Sequence, residues 1–230
     1  MRVARMVLGL SVLVVPIAVA APASAAPDVP EDCAVPPDID LTQFNVVIGT
    51  DRADKLFGTS GPDFICGRLG NDVIRAGAGN DIILGDTTTF FGNLAAEGGA
   101  DTVFAGRGAD QVLTGPGNDV AFGAAGADQI FLAVGNDSAK GGPGGDIMNG
   151  GFGRDVLDGG LGRDDIAGGF DNDRLLGGPG DDRLAGELPP GAPPPPGVPV
   201  PLARRDVCRG GIGTDSWSAC DIRSSLERRI

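Results

Sequence analysis

Apolar residues and aspartates recur with a fixed nine-residue period along most of the 230-residue chain. In each of fourteen units an apolar residue, here called U, stands two places after an aspartate, and in twelve units a glycine stands two places before that aspartate. Six mostly small or polar residues suit a tight turn, and three residues with an apolar centre suit a very short strand. Each unit therefore predicts one turn and one strand, and two units predict an eighteen-residue coil. The U residues are Leu56, Ile65, Ile74, Ile83, Val103, Val112, Ala121, Ile130, Ala139, Met148, Leu157, Ile166, Leu175 and Leu184.

The clearest units have the form G-G-x-G-x-D-x-U-x, as in Gly141–Asp146 and Gly150–Asp155. Over residues 49–186 the chain resembles the hemolysin-type calcium-binding (RTX) nonapeptide repeat family. The resemblance implies an all-β fold, a right-handed parallel β-roll, which is a two-sheet β-solenoid with the U side chains between the sheets. It also implies that the aspartates bind Ca²⁺ together with turn carbonyl oxygens. These candidate ligands are Asp54, Asp63, Asp72, Asp81, Asp101, Asp110, Asp119, Asp128, Asp137, Asp146, Asp155, Asp164, Asp173 and Asp182.

The physics of one unit explains why a cation is needed. A unit buries about one Ile or Leu, worth ~2 kcal/mol, whereas ordering each of its nine residues costs ~1–2 kcal/mol. Coils stack about 4.8 Å apart, so aspartates two units apart repel by ~3.5 kcal/mol at an effective dielectric constant near 20. Pairing each aspartate with the one two units further on gives about ten candidate Ca²⁺ sites, and Mg²⁺ fits less well because it demands octahedral geometry. A disordered Gly/Asp-rich tract is the alternative, but disorder does not require U residues in phase.

The amino-acid composition argues against several classes of function. The chain contains 27 Asp but only 4 Glu, no His, and a formal net charge of −13. Without His there is no Ser-His-Asp or Cys-His pair and no imidazole zinc site, and the acidic balance disfavours nucleic acid and anionic membranes as partners. We therefore predict a non-enzymatic calcium-binding protein. A calcium-dependent adhesion or matrix module and a hydrolase using Asp-bound metal are the alternatives.

Residues 1–25 have the features of a secretory signal peptide: a basic start, an apolar run and small residues before a cleavage site near Ala25. A retained membrane anchor is the alternative. Export to an extracellular, oxidising space makes disulfides the expected state of the four cysteines, which allow three pairings, with free buried thiols as the other possibility. We favour Cys33–Cys66 and Cys208–Cys220, one near each end.

Three segments depart from the repeat. Residues 26–48 are predicted to cap the first coil. Residues 85–95 are interpreted as an irregular rung with two extra residues and a lost aspartate, although a partner-binding loop is an alternative. Residues 187–205 are predicted to be a Pro-rich loop inserted in one turn, after which residues 206–230 form a final coil and cap with Cys208 and Trp217 at U positions.

Counting residues 85–95 as one rung predicts an apolar outer face on one sheet. Such a face is either a docking or self-association surface, or it is covered by residues 26–48 or by the 85–95 loop. The other sheet is then expected to be more polar, with Lys55, Arg75, Gln111 and Gln129, but also Phe57 and Phe131. The apolar residues are Phe64, Ile82, Leu84, Thr102, Phe104, Val120 and Phe122.

Overall fold

The computed structural model describes residues 29–30, 33, 35, 39–86, 98–187, 206–218, 220 and 222–224. These residues form one short 3₁₀ helix, Leu41–Gln43, and eighteen strands. The strands are β1 Asn45–Ile48, β2 Lys55–Phe57, β3 Asp63–Cys66, β4 Val73–Ala78, β5 Ile82–Leu84, β6 Thr102–Arg107, β7 Gln111–Pro116, β8 Val120–Ala125, β9 Gln129–Val134, β10 Ser138–Pro143, β11 Ile147–Phe152, β12 Val156–Leu161, β13 Asp165–Phe170, β14 Arg174–Pro179, β15 Arg183–Glu187, β16 Val207–Ile212, β17 Ser216–Ser218 and β18 Ile222–Ser224.

Successive strands alternate between two sheets, so every second strand is a neighbour. The odd-numbered strands form one nine-stranded sheet and the even-numbered strands form the other. All pairs are parallel, and in most of them equivalent residues lie eighteen positions apart, as in Ile65 opposite Ile83 and Leu157 opposite Leu175. This arrangement confirms the predicted two-sheet β-solenoid.

The core lies between the sheets and contains the U side chain of each of the fourteen repeat units. All fourteen predicted U residues are buried in a single cluster, which Cys208 joins near the C-terminal end. Each fully buried Leu or Ile contributes about 1.5–3 kcal/mol. Three strands, β4, β6 and β9, each bury a second residue in the same cluster, namely Ala76, Ala105 and Leu132.

The interruption after Asp81 leaves the alternation of the described strands unchanged, since β6 follows β5 on the opposite sheet. Val73 pairs with Thr102 and Ile82 with Gln111, a separation of 29 residues instead of eighteen. The irregular rung predicted at 85–95 is therefore wrong. Gly85 and Asp86 continue the regular turn, because their N–H groups donate to Leu113 O and Thr114 O at 2.8 Å. The eleven added residues are 87–97, which lie outside the described residues.

This correction also overturns the predicted apolar face. Thr102, Phe104, Val120 and Phe122 lie on the even-numbered sheet, whereas Phe64, Ile82 and Leu84 lie on the odd-numbered sheet. The residues of the predicted apolar face are divided between the two sheets, because β6 follows β5 in the regular alternation of sheets.

The N-terminal segment covers the apolar part of the odd-numbered sheet. Phe64, Ile82 and Leu84 are buried in a cluster with Leu41 and Cys33, and with the part-buried residues Val29, Val35, Ile39 and Phe44. Cover by residues 26–48, one of the two outcomes considered, is thus found for these three side chains. The apolar residues that the structure describes in this segment pack mostly against the outer face of the sheet. Among them, Val47 on β1 packs against the inner core instead.

The second interruption also preserves the register. Arg174 pairs with Val207 and Arg183 with Ser216, so the coil resumes after fifteen added residues. Trp217 pairs with Leu184 in the backbone register, which places it at a U position as predicted. The Pro-rich residues 188–205 lie outside the described residues.

Both favoured disulfides are confirmed. Cys33 bonds to Cys66 and Cys208 bonds to Cys220, with Cα–Cα distances of 6.1 Å and 6.0 Å. The first ties the N-terminal segment to β3, and the second closes the core at the C-terminal end.

The predicted signal peptide, residues 1–25, lies outside the described residues. Within the part of the chain that the structure describes, no helix has the length and apolar character needed to cross a membrane.

Candidate metal-binding aspartate ladders

The repeat aspartates stack into two ladders, one along each edge where turns meet strands. In each step the backbone N–H of one aspartate donates to Oδ1 of the aspartate in the next coil, at 2.8–3.2 Å. The predicted stacking of each aspartate with the one two units on is therefore present in every coil. Ladder 1 contains Asp54, Asp72, Asp101, Asp119, Asp137, Asp155, Asp173 and Asp206. Ladder 2 contains Asp63, Asp81, Asp110, Asp128, Asp146, Asp164, Asp182 and Asp215.

Both ladders continue across both interruptions. Asp72 and Asp81 donate to Asp101 and Asp110 at the first break. Asp173 and Asp182 donate to Asp206 and Asp215 at the second. The described ladders thus have fourteen steps, four more than the ten pairs predicted from the uninterrupted runs.

Sequence reasoning missed three residues of these ladders. Asp206 and Asp215 were identified as resuming the period but not as candidate ligands, although Gly210–Asp215 repeats the motif. Asn45 occupies the aspartate position of the first strand, and its Nδ2 donates to Asp63 Oδ1 at 2.7 Å. The repeat is recognised by its aspartates, and Asn45 carries an amide instead of a carboxylate.

One oxygen of almost every ladder aspartate is buried without a hydrogen-bond partner. Leaving Asp206 aside, thirteen Oδ2 atoms are in this state, those of every other ladder member except Asp54 and Asp63. At these two the N–H groups of Thr50 and Thr59 donate to Oδ2 at 2.6 Å. Burying a polar atom without a partner costs about 1–3 kcal/mol, and more if it is charged. A column of such atoms indicates a ligand that the chain itself does not supply.

Where a turn begins with glycine, that glycine leaves space that affects what the Oδ2 atom faces. A Cβ on Gly150 would overlap Asp155 Oδ2 and would lie 2.6 Å from Gly168 O in the next coil. Gly141 is placed in the same way against Asp146 Oδ2 and Gly159 O. The missing side chain thus lets a carboxylate oxygen approach a backbone carbonyl oxygen. Neither oxygen can donate a proton when the aspartate is ionised, so a cation suits both.

The electrostatic environment leads to the same conclusion. Burial, and to a smaller extent neighbouring aspartates, raise the pKa of Asp137 and Asp173 to about 8. The pKa of Asp101 rises to about 7 and that of Asp155 to about 6, again chiefly because burial disfavours the charged form. Buried carboxylates therefore need either protons or a cation near neutral pH.

The ligand set fits Ca²⁺ only if backbone oxygens take part. Among the described residues, no group of three or more His, Cys, Asp or Glu side chains could hold a metal ion. Two stacked aspartates and the turn carbonyls must together provide the six to eight oxygens that Ca²⁺ prefers. Flexible Gly-rich turns and hard oxygen donors match that preference.

A family model for the RTX calcium-binding nonapeptide repeat (4 copies) matches residues 48–83, 95–130, 108–139, 133–166, 140–175 and 158–188. Together these matches cover more than half of the chain. The chain belongs to the RTX calcium-binding repeat family. The unmatched residues 84–94 fall at the first interruption of the RTX roll. RTX repeats bind Ca²⁺, and the assignment of individual aspartates as ligands stays a prediction. A search of curated proteins found no match.

One further buried carboxylate lies beside ladder 1 and was not predicted. Asp86 has no exposed surface, and its pKa is raised to about 8 by burial and then by Asp101, Asp119 and Asp72. The nine-residue period does not include this residue. Only the register across the interruption reveals its position.

Proposed function

We propose that the chain is a secreted, non-enzymatic RTX protein whose coils order when its aspartate ladders bind Ca²⁺. The observation that carries this proposal is the set of thirteen buried, unpartnered carboxylate oxygens in the two ladders, Asp206 not included. Bound Ca²⁺ supplies the positive charge that offsets repulsion within each ladder. Two stacked aspartates and nearby turn carbonyls hold each ion, and the U residues then pack between the closed sheets.

Weak sites are sufficient because there are many. Extracellular calcium modules have dissociation constants of about 0.1–1 mM. At millimolar calcium each such site contributes about 0.5–1.5 kcal/mol by mass action. Summed over the ladder steps, this contribution is comparable to the net stability of an ordinary domain, about 5–15 kcal/mol.

Secretion and the lack of catalysis are supported by the sequence. Residues 1–25 match a signal peptide, and RTX repeat proteins are typically secreted. The chain contains no His, and its carboxylates are used in uniform, repeated steps rather than in one distinct cleft. A screen with ester, peptide and glycoside substrates tests this part, and turnover of any of them would contradict it.

Calorimetric titration of the purified, exported protein with CaCl₂ and MgCl₂ tests the proposal. We expect saturable binding of several Ca²⁺ ions and much weaker binding of Mg²⁺. Replacing Asp119, Asp137 and Asp155 by Asn is expected to lower the number of bound Ca²⁺ ions. The matched control replaces Asp51, Asp158 and Asp165 by Asn. These three lie outside the ladders, in surface ion pairs with Arg68, Lys140 and Arg183. Absence of Ca²⁺ binding, or equal losses in both variants, would contradict the proposal.

A calcium-dependent adhesion role is the second candidate, and the charge of one face favours it. The outer face of the even-numbered sheet carries exposed Lys55, Arg75, Lys140, Arg174 and Arg209, against the single acid Asp158 among its described side chains. Arg75 also lies over the ring of Phe104, which stacks on Phe122. An anionic polysaccharide matches this face in an otherwise acidic chain. Cosedimentation with a polyuronate in calcium, lost after Arg75→Ser and Arg174→Ser, would support it, whereas equal retention of that variant would exclude it.

A further inference from the structure

Asp86 occupies a turn position where the repeat normally has glycine. It lies opposite Gly115 in the next coil, as the Asp86 N–H donates to Thr114 O at 2.8 Å. The equivalent residues in later turns include Gly142, Gly151 and Gly160. Asp86 is also the last residue before the eleven-residue insertion. The insertion therefore interrupts the backbone of this turn immediately after Asp86.

The surroundings of Asp86 are built to hold a buried carboxylate. The Gly99 N–H donates to Oδ1 and Oδ2 at 3.2 and 3.0 Å. Gly115, with a φ of +101°, leaves room for the side chain, because a Cβ there would lie 2.7 Å from Asp86 Cβ. No Lys or Arg among the described residues forms an ion pair with it. The carboxylate is therefore buried, positioned and not neutralised by the protein.

A second observation places an unsatisfied oxygen next to it. Asp101 Oδ2 is buried and has no hydrogen-bond partner. It lies against Gly85, the residue that precedes Asp86, where a Cβ would overlap both Asp101 Oδ2 and Thr114 O. Asp101 is also the carboxylate with the strongest electrostatic effect on Asp86. Two buried carboxylates and a carbonyl oxygen thus lie together at one turn.

We propose that Asp86 is an additional Ca²⁺ ligand that acts with Asp101 at the interrupted turn. This inference rests on the proposed function, because it concerns one ion of ladder 1. Asp86 supplies a carboxylate oxygen at the place where the insertion divides the turn. The simpler alternative is a structural side chain that only accepts the Gly99 N–H bond.

The test compares Asp86→Asn and Asp86→Gly with wild type by native mass spectrometry and calcium calorimetry. Asn keeps an oxygen that can accept the Gly99 N–H, and Gly restores the residue usual at this turn position. Asp158→Asn, outside the ladders and partly exposed, is the control for one lost charge. We expect both Asp86 variants to lose one bound ion or to bind it at least tenfold more weakly, while the control keeps the wild-type number.

Stability with and without calcium separates a ligand from a structural acceptor. We expect Asp86→Asn to unfold at lower urea than wild type in saturating calcium, but to show more β-sheet circular dichroism signal than wild type in calcium-free buffer, because a buried charge is removed. If Asp86→Asn keeps the wild-type ion number and affinity, the inference is wrong although the proposed function stands. If wild type itself binds no Ca²⁺, the proposed function fails and the inference with it.

Discussion

At the residue scale, the working unit is an aspartate together with the first glycine of its own turn. The glycine leaves a gap into which Oδ2 of the aspartate fits beside a carbonyl oxygen of the next coil, as at Gly150, Asp155 and Gly168. This contact accounts for the glycine at position 150, whereas Ala76, Ala105, Thr114 and Leu132 occupy the same position in other turns. Gly150 does not have a positive φ.

The substitution Gly150→Ala tests this contact. The added Cβ would displace Asp155 Oδ2, and overpacking of this kind costs about 1–3 kcal/mol. We expect Gly150→Ala to lower the free energy of unfolding in saturating calcium by that amount, measured by urea denaturation, and to weaken calcium binding. Gly61→Ala is the control, because its Cβ would meet only Thr59 Oγ1, at 4.0 Å. Equal stability of the two variants would contradict the explanation.

The residue scale also shows what a sequence pattern can and cannot reveal. The fourteen aspartates and their U partners were predictable because period and chemistry coincide. Asn45 and Asp86 were not, because one has a different side chain and the other is out of phase. Both become recognisable only when the register places Asn45 opposite Asp63 and Asp86 opposite Gly115.

At the element scale, a coil tolerates added residues only if they leave its alternation of strands intact. The first insertion separates Val73 and Thr102 by 29 positions and the second separates Arg174 and Val207 by 33, yet both pairs are in register. Sequence alone predicted the second case from the resumed period of Asp206 and Asp215. The first insertion was wrongly interpreted as a repeat unit, because its eleven residues are close in number to the nine residues of a regular unit.

Deletion of residues 87–97 tests this view of the first insertion. Removing all eleven joins Asp86 to Gly98 and restores the eighteen-residue spacing between β4 and β6. We expect this variant to keep the β-sheet circular dichroism spectrum and the melting temperature of wild type in calcium, within a few degrees.

Deletion of only ten residues, 87–96, is the matched comparison. It leaves one extra residue in the turn before Asp101. If that residue shifts the register of the next strand by one position, the side chains that faced the core face outward. We expect a clearly lower melting temperature. A full deletion that unfolds the protein, or a partial deletion as stable as the full one, would contradict the assigned register.

At the scale of the whole molecule, the proposed function implies that the balance between protons, calcium and carboxylates determines whether the roll forms. Burial raises the pKa of Asp101 to about 7 and those of Asp137 and Asp173 to about 8. In the unfolded chain the pKa of an aspartate is about 3.9. Between these values the folded state binds more protons than the unfolded state, so its stability without calcium must fall as pH rises.

The pH dependence of calcium-free protein therefore has a definite sign. After calcium is removed on a chelating resin, we expect more β structure and a higher melting temperature at pH 5 than at pH 8. In saturating calcium the order is expected to reverse, because ions replace protons on the same carboxylates and bind more tightly as pH rises. Stability that increases with pH in calcium-free protein would contradict the buried, unneutralised state of the ladders.

The most direct test of the central claim is far-UV circular dichroism of the exported chain at pH 7.5 as calcium is removed and restored. The aspartate ladders predict a largely unfolded spectrum without calcium and a cooperative return of the β-sheet spectrum as millimolar calcium is added. A complete β-sheet spectrum in calcium-free buffer, unchanged by added calcium, would mean that apolar packing alone holds the coils together.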